Sequence, residues 1–106
     1  MAKLSVPFTV TVVGDESGET FTGKFSAKNR ITFRDELLRD KIRRDLIGLN
    51  PEHATERANL QAVMFSELAV RITDAPSWWT ESGGGLDLVD ENVIIAIYKE
   101  AKRIED

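Results

Sequence analysis

Asp87, Asp90 and Glu91 place three carboxylates within five residues, hard oxygen donors of the kind that hold calcium or magnesium. A calcium loop also needs oxygen ligands at alternating positions, a central glycine and a distant glutamate, and that pattern is absent. Asp87 or Asp90 reads better as the cap of a helix, with Asp90, Glu91 and Asn92 grouped near its positive end. Just ahead, Gly83, Gly84 and Gly85 offer bare backbone N–H groups before a helix, the raw material of a phosphate cradle. Neither Gly-x-x-x-x-Gly-Lys nor Gly-x-Gly-x-x-Gly is present, and Asp87 stands where an anion would sit, so the run reads as a flexible connection. His53 is the sole histidine, which leaves no His-based triad and no paired-histidine metal site. In the first turn of a helix it reads as exposed or locally bonded. Ser77 and Ser82 lack a Gly-x-Ser-x-Gly setting, and the absence of cysteine excludes a disulfide scaffold, a thiolate zinc site and a cysteine nucleophile together. The residues therefore argue against an enzyme, and no cofactor is expected.

Two further groups invite a binding role. Arg34, Arg39, Lys41, Arg43 and Arg44 crowd one helix, but Asp35 with Arg39, Asp40 with Arg44 and Lys41 with Asp45 are i,i+4 pairs of opposite charge. The cluster is expected to be internally compensated. Fourteen basic against eighteen acidic residues leave a net charge of -4, the wrong sign for a protein that lives on phosphate contacts. A helix-turn-helix across Gly48-Leu49-Asn50 would present Pro51-Glu52-His53-Ala54-Thr55-Glu56 to DNA, with two acids ahead of the first arginine at Arg57. The second group is Trp78 and Trp79. Adjacent residues seldom point the same way, so one is expected to cover the core while the other meets a partner or a neighbouring subunit.

The elements that must position these residues form an α+β fold, a β-hairpin packed on three helices, in a single domain over residues 1–106 with 42% hydrophobic content. A chain of this length buries roughly two-thirds of its unfolded surface and needs no disulfide or metal. Phe8, Val10 and Val12 alternate with the hydroxyl-bearing Thr9 and Thr11, Val6 continues the apolar face, and Phe21, Phe25 and Ala27 repeat the period. The hairpin spans about 6–27, with Gly14 to Glu19 as a solvated loop. Thr32 and Asp35 make a capping box for a helix over 33–47, in which Phe33, Leu37, Leu38, Ile42, Leu46 and Ile47 form the buried stripe and Gly48 a left-handed cap. Asn50-Pro51 restarts helix over 51–73, with Ala54, Ala58, Ala62, Phe65, Ala69 and Ile72 as its stripe, widened by Leu60, Val63, Met64 and Leu68. It is expected to be the most buried helix and to be stopped by Pro76. The last helix, over 88–104, buries Val93, Ile94, Ile97, Tyr98, Ala101 and Ile104. The first residues hold no apolar run long enough for a signal peptide and no later run approaches ~20 apolar residues, so neither a cleaved signal nor a membrane span is expected.

The order of these motifs resembles the small tail assembly chaperones of long-tailed bacteriophages. The resemblance runs from Phe8-Thr9-Val10-Thr11-Val12 and Gly23-Lys24-Phe25 through Ile31-Thr32-Phe33-Arg34-Asp35, Arg43-Arg44 and Leu46-Ile47-Gly48-Leu49-Asn50-Pro51. It continues through Val70-Arg71-Ile72, Ala75-Pro76-Ser77-Trp78-Trp79 and Gly85-Leu86-Asp87-Leu88-Val89-Asp90-Glu91-Asn92-Val93, and so covers nearly the whole chain. It implies a non-enzymatic factor in the cytoplasm of the host bacterium that coats the helical tape-measure protein, helps recruit the tail-tube protein and is left out of the virion. A homo-oligomer is compatible with it, and neither nucleic acid nor a membrane is an expected partner. The partner-binding candidates are Trp78 and Trp79 together with Phe8, Phe21 and Phe25 of the hairpin, whose free edge is open to pairing. Two alternatives stand beside it: a tail or head-tail connector component retained in the particle, and a small DNA-binding regulator.

Overall fold

The computed structural model describes residues 5–48 and 55–105, so the readings made for Asn50, Pro51, His53 and Ala54 lie outside the described residues. The chain is α+β. In order it forms β1 (Ser5–Val13), β2 (Thr20–Lys28), α1 (Phe33–Ile47), α2 (Glu56–Arg71), β3 (Ile72–Asp74), α3 (Ser77–Glu81) and α4 (Glu91–Arg103). The alternating pattern of the hairpin does what period two requires. Phe8, Val10, Phe21, Phe25 and Ala27 lie in the core, where they meet Leu68 of α2, Trp79 of α3 and Val93, Ile94, Ile97 and Ala101 of α4. Phe8 and Phe25 are cross-strand partners and stack with ring centroids 5.4 Å apart.

The second helix does not continue through Ile72 and Thr73 as its periodicity suggests. It ends at Arg71, and Ile72–Asp74 becomes a third strand, antiparallel to β2 at Ser26 and Ala27. Two causes act together. Ile72 and Thr73 are β-branched and suit a strand. The outer edge of β2 also carries backbone groups that must find partners. The Gly14 N–H bonds to the Glu19 carbonyl, so Val12 with Phe21 is the next hydrogen-bonded pair and the Thr22, Ser26 and Lys28 carbonyls face away from β1. Each is met: Thr22 by Trp78 Nε1 at 3.0 Å, Ser26 by the Thr73 hydroxyl at 3.3 Å and Lys28 by Arg71 Nη1 at 3.1 Å. The hairpin is thus part of a sheet ordered β1-β2-β3, whose edge strands are β1 and the short β3.

The capping box of α1 forms as expected, with the Thr32 hydroxyl accepting from the Asp35 N–H and the Asp35 carboxylate from the Thr32 N–H. Its expected buried stripe does not. No residue of α1 is buried; Phe33 is 86% exposed and Leu37 72%, while Leu38, Ile42 and Leu46 lean toward α2 without being sealed. The helix packs chiefly on α2. Ion pairs hold it to the body, Lys28 to Asp35 at 3.0 Å and Arg39 to Glu67 at 3.2 Å. Gly48 has the positive φ expected of a cap, at 92°, but its ψ of -168° is extended rather than left-handed helical.

The buried face of α2 is also turned from the expected alanine stripe. Met64, Leu68 and Arg71 go inward with Ala62, whereas Ala69, Leu60 and Val63 are exposed and Phe65 is half-buried. Arg71 and Glu67 form a buried ion pair at 2.6 Å. It is extended by Arg39 on one side and by Glu105 and Lys102 on the other, which supplies the additional bonds a buried pair needs.

At the start of α4, Asp90 occupies the N-cap position but makes no capping bond. Its carboxylate accepts instead from the Glu16 and Ser17 N–H groups, each at 2.8 Å, and from the Ser17 hydroxyl at 2.7 Å. Asn92 accepts from the Asp15 N–H and donates to the Val13 carbonyl. The loop expected to be merely solvated is therefore clamped to the last helix. Gly14 is part of the clamp, because a Cβ there would lie 2.3 Å from the Asp90 carboxyl carbon.

Candidate functional site

The structure draws the aromatic candidates together, but inside the protein. Phe8, Phe21, Phe25 and Trp79 are buried in the core, and Trp78 is half-buried. Trp78 lies 5.1 Å from Phe21, 5.7 Å from Phe25 and 6.2 Å from Trp79 between ring centroids, with its indole N–H on Thr22. The tilted and edge-on arrangements suit aromatic quadrupoles. In this conformation the cluster is the interior of the sheet, and Trp78 closes the β2 edge where β3 stops. These five residues present little surface to a partner.

The segment after them is also committed. The Gly83 and Gly84 N–H groups bond to the Thr80 and Trp79 carbonyls, and the Gly85 N–H bonds to the Ser82 hydroxyl at 3.0 Å. None of the three is left to cradle a phosphate, and the run is a bonded turn rather than an open connection. Gly85 has a φ of 91°, and a Cβ there would come within 2.8 Å of both Ile94 and Trp79, so the position needs glycine twice over. Among the described residues no group of three or more His, Asp and Glu side chains could hold a metal ion. Asp87 is exposed, while Asp90 is spent on the hairpin loop.

What is open is a groove between α1, α2 and the loop before α4. Its floor is the alanine-bearing face of α2, with Ala58, Ala62, Phe65 and Ala69. One wall is Ile42 and Leu46 of α1; the other is Leu86, Leu88 and Val89 of the loop before α4. The wider end encloses about 320 Å³. A small cavity of about 80 Å³ beside Trp79 and Gly84 shares lining residues with this end and with a more open depression lined by Ile72 and Ala75. Arg57 of α2 and Glu91 of α4 pair at the wide end. Leu86 is 52% exposed and Val89 70%, so an apolar rim faces solvent. The signal for this groove was present in the chain as a stripe of alanines, read above as a place for close-packed neighbours. The structure leaves Ala69 exposed and Ala58 half-buried on this face, while Ala62 is buried.

The chain matches no family model, no curated protein and no solved structure in comparisons with known proteins. Among the described residues no helix is long and apolar enough to cross a membrane.

Proposed function

We propose that this chain is a tail assembly chaperone of a long-tailed bacteriophage, acting in the host cytoplasm without catalysis, and that it holds an apolar stripe of the tape-measure helix in the groove over α2. The observation that carries the reading is the groove itself, with an alanine floor between apolar walls. Small residues on a helix face let a second helix approach closely, and amphipathic helices are commonly recognised by laying their apolar stripe into such a trough. The open rim gives many modest contacts and no deep pocket, which suits a factor that must release its client when tail-tube subunits arrive. The motif order described above supplies the name of the client.

The test is co-expression with the tape-measure protein followed by capture. Ala69→Trp fills the floor from an exposed position, and Leu86→Glu places a charge on the rim; each is expected to lower capture by about tenfold, the effect of losing roughly 1.4 kcal/mol. Capture that survives both substitutions in folded protein removes the groove from the contact. Mass spectrometry of purified particles separates the chaperone from a retained tail or connector component, since the chaperone is absent from the finished virion.

A further inference from the structure

The face of α1 turned away from α2 carries a second pattern, independent of the groove. At roughly 100° per residue, Phe33, Arg34, Leu37, Lys41 and Arg44 fall within an arc of roughly 100°, and no acid lies inside it. Asp35 and Arg39, which tie α1 to the body, lie on the opposite side. Phe33 and Leu37 are among the most exposed large apolar residues of the protein. The charge compensation expected along α1 is incomplete: Arg39 is drawn to Glu67 and Asp40, and Arg34 and Arg44 make no ion pair among the described residues. Lys41 reaches Asp45 at 3.4 Å, but both side chains are about two-thirds exposed, so the pair is readily exchanged for a better one.

We propose that this outer face of α1 docks an acidic amphipathic helix of a partner protein. Phe33 and Leu37 anchor its apolar residues, and Arg34, Lys41 and Arg44 pair with its carboxylates. Two apolar anchors at one end of the helix and two cations at the other ask for a segment whose apolar turn is followed by an acidic one. A polyanion backbone fits less well, because it has no use for Phe33 and Leu37. The net charge of -4 does not oppose the contact, since charges more than about 8 Å apart are largely screened at physiological salt.

The experiment uses the full chain and a fluorescently labelled helical peptide of about 20 residues bearing a leucine stripe flanked by glutamates, with a twin in which lysine replaces every glutamate. Anisotropy titration is expected to show binding of the glutamate peptide that weakens with added salt, and no binding of the twin. Phe33→Ala with Leu37→Ala, and separately Arg34→Glu with Arg44→Glu, each weaken it at least about tenfold. All four side chains are at the surface, and circular dichroism checks that the variants keep their helices. Ala69→Trp in the groove leaves peptide binding unchanged, which separates this surface from the tape-measure contact. The proposal is overturned if the glutamate peptide does not bind, if the lysine twin binds as well, or if Ala69→Trp abolishes binding while the α1 variants do not. It is also overturned if duplex DNA or phosphatidylglycerol vesicles bind the same residues more tightly than the peptide does.

Discussion

Asp90 sits at the N-cap of α4 with its carboxylate inside the hairpin loop, 2% exposed and surrounded by three donors. The Ser17 hydroxyl, then the Ser17 and Glu16 N–H groups, hold its pKa below the ordinary carboxylate value. Asp35 is lowered in the same direction, first by the Thr32 N–H and then by Lys28. A group whose pKa is lower in the folded than in the unfolded chain adds stability that is complete above its unfolded value near 3.9 and is lost as pH falls through the folded one. The hairpin loop is therefore expected to loosen in acid, below about pH 4. Asp90→Asn keeps the size but loses the charge and one acceptor, so it lowers the urea midpoint at neutral pH and flattens the fall in stability on acidification. Hydrogen exchange supplies the local reading, since the Glu16 and Ser17 amides should lose protection in the variant while those of α2 do not. If their protection is unchanged, the loop is held by something other than this carboxylate.

At the level of elements, α1 and α2 have similar lengths but opposite fates, and α2 is the more apolar of the two. Leu68 of α2 is 1% exposed and stands against Phe25 and the α4 stripe within one core cluster, whereas Leu37 of α1 is 72% exposed. Leu68→Ala is expected to cost about 2–5 kcal/mol, the range for a leucine deleted from a packed interior. Leu37→Ala should stay within about 0.5 kcal/mol, as for surface changes generally, and urea denaturation distinguishes the two. An equal cost would mean that α1 is part of the core after all. The same pair shows where reading the chain works and where it stops. Strands β1 and β2 were legible because period two has one meaning for a hairpin with a single buried face. The stripe of α4 was legible for the same kind of reason, as its apolar residues share one side. In α1 the apolar residues fall on two sides, Leu38, Ile42 and Leu46 toward α2 and Phe33 and Leu37 away from it, so local pattern does not say which is covered. The end of α2 depended on a distant partner, the unsatisfied edge of β2, which captured Ile72 and Thr73 as strand. Adjacency in sequence favours Asp90 as a cap, while its actual donors, Glu16 and Ser17, come from the far end of the chain. The groove was visible only as its alanines. Whether small residues are covered or open is decided by how far α1 stands off, which no local spacing encodes.

For the molecule as a whole, the exposed apolar residues of α1, α2 and the loop before α4 are surface that must be kept from self-association. Phe33, Leu37, Leu60, Leu86 and Val89 are each more than half exposed. At neutral pH and low ionic strength, where screening is weak, the net charge of -4 sets copies against one another, and repulsion of this kind opposes contact between like surfaces. The isoelectric point near 5.0 removes that repulsion while Asp35 and Asp90, with their lowered values, are still ionised and the fold is still clamped. Folded protein is therefore expected to self-associate most strongly near pH 5 and to be monodisperse at pH 7, with sedimentation velocity as the measurement. Leu37→Glu makes the net charge more negative and breaks the exposed pair with Phe33, so it should suppress association at pH 5 without lowering stability at pH 7. Association that peaks instead below pH 4, together with loss of near-UV circular dichroism, would trace the contact to unfolding of the clamp and not to the native apolar surface.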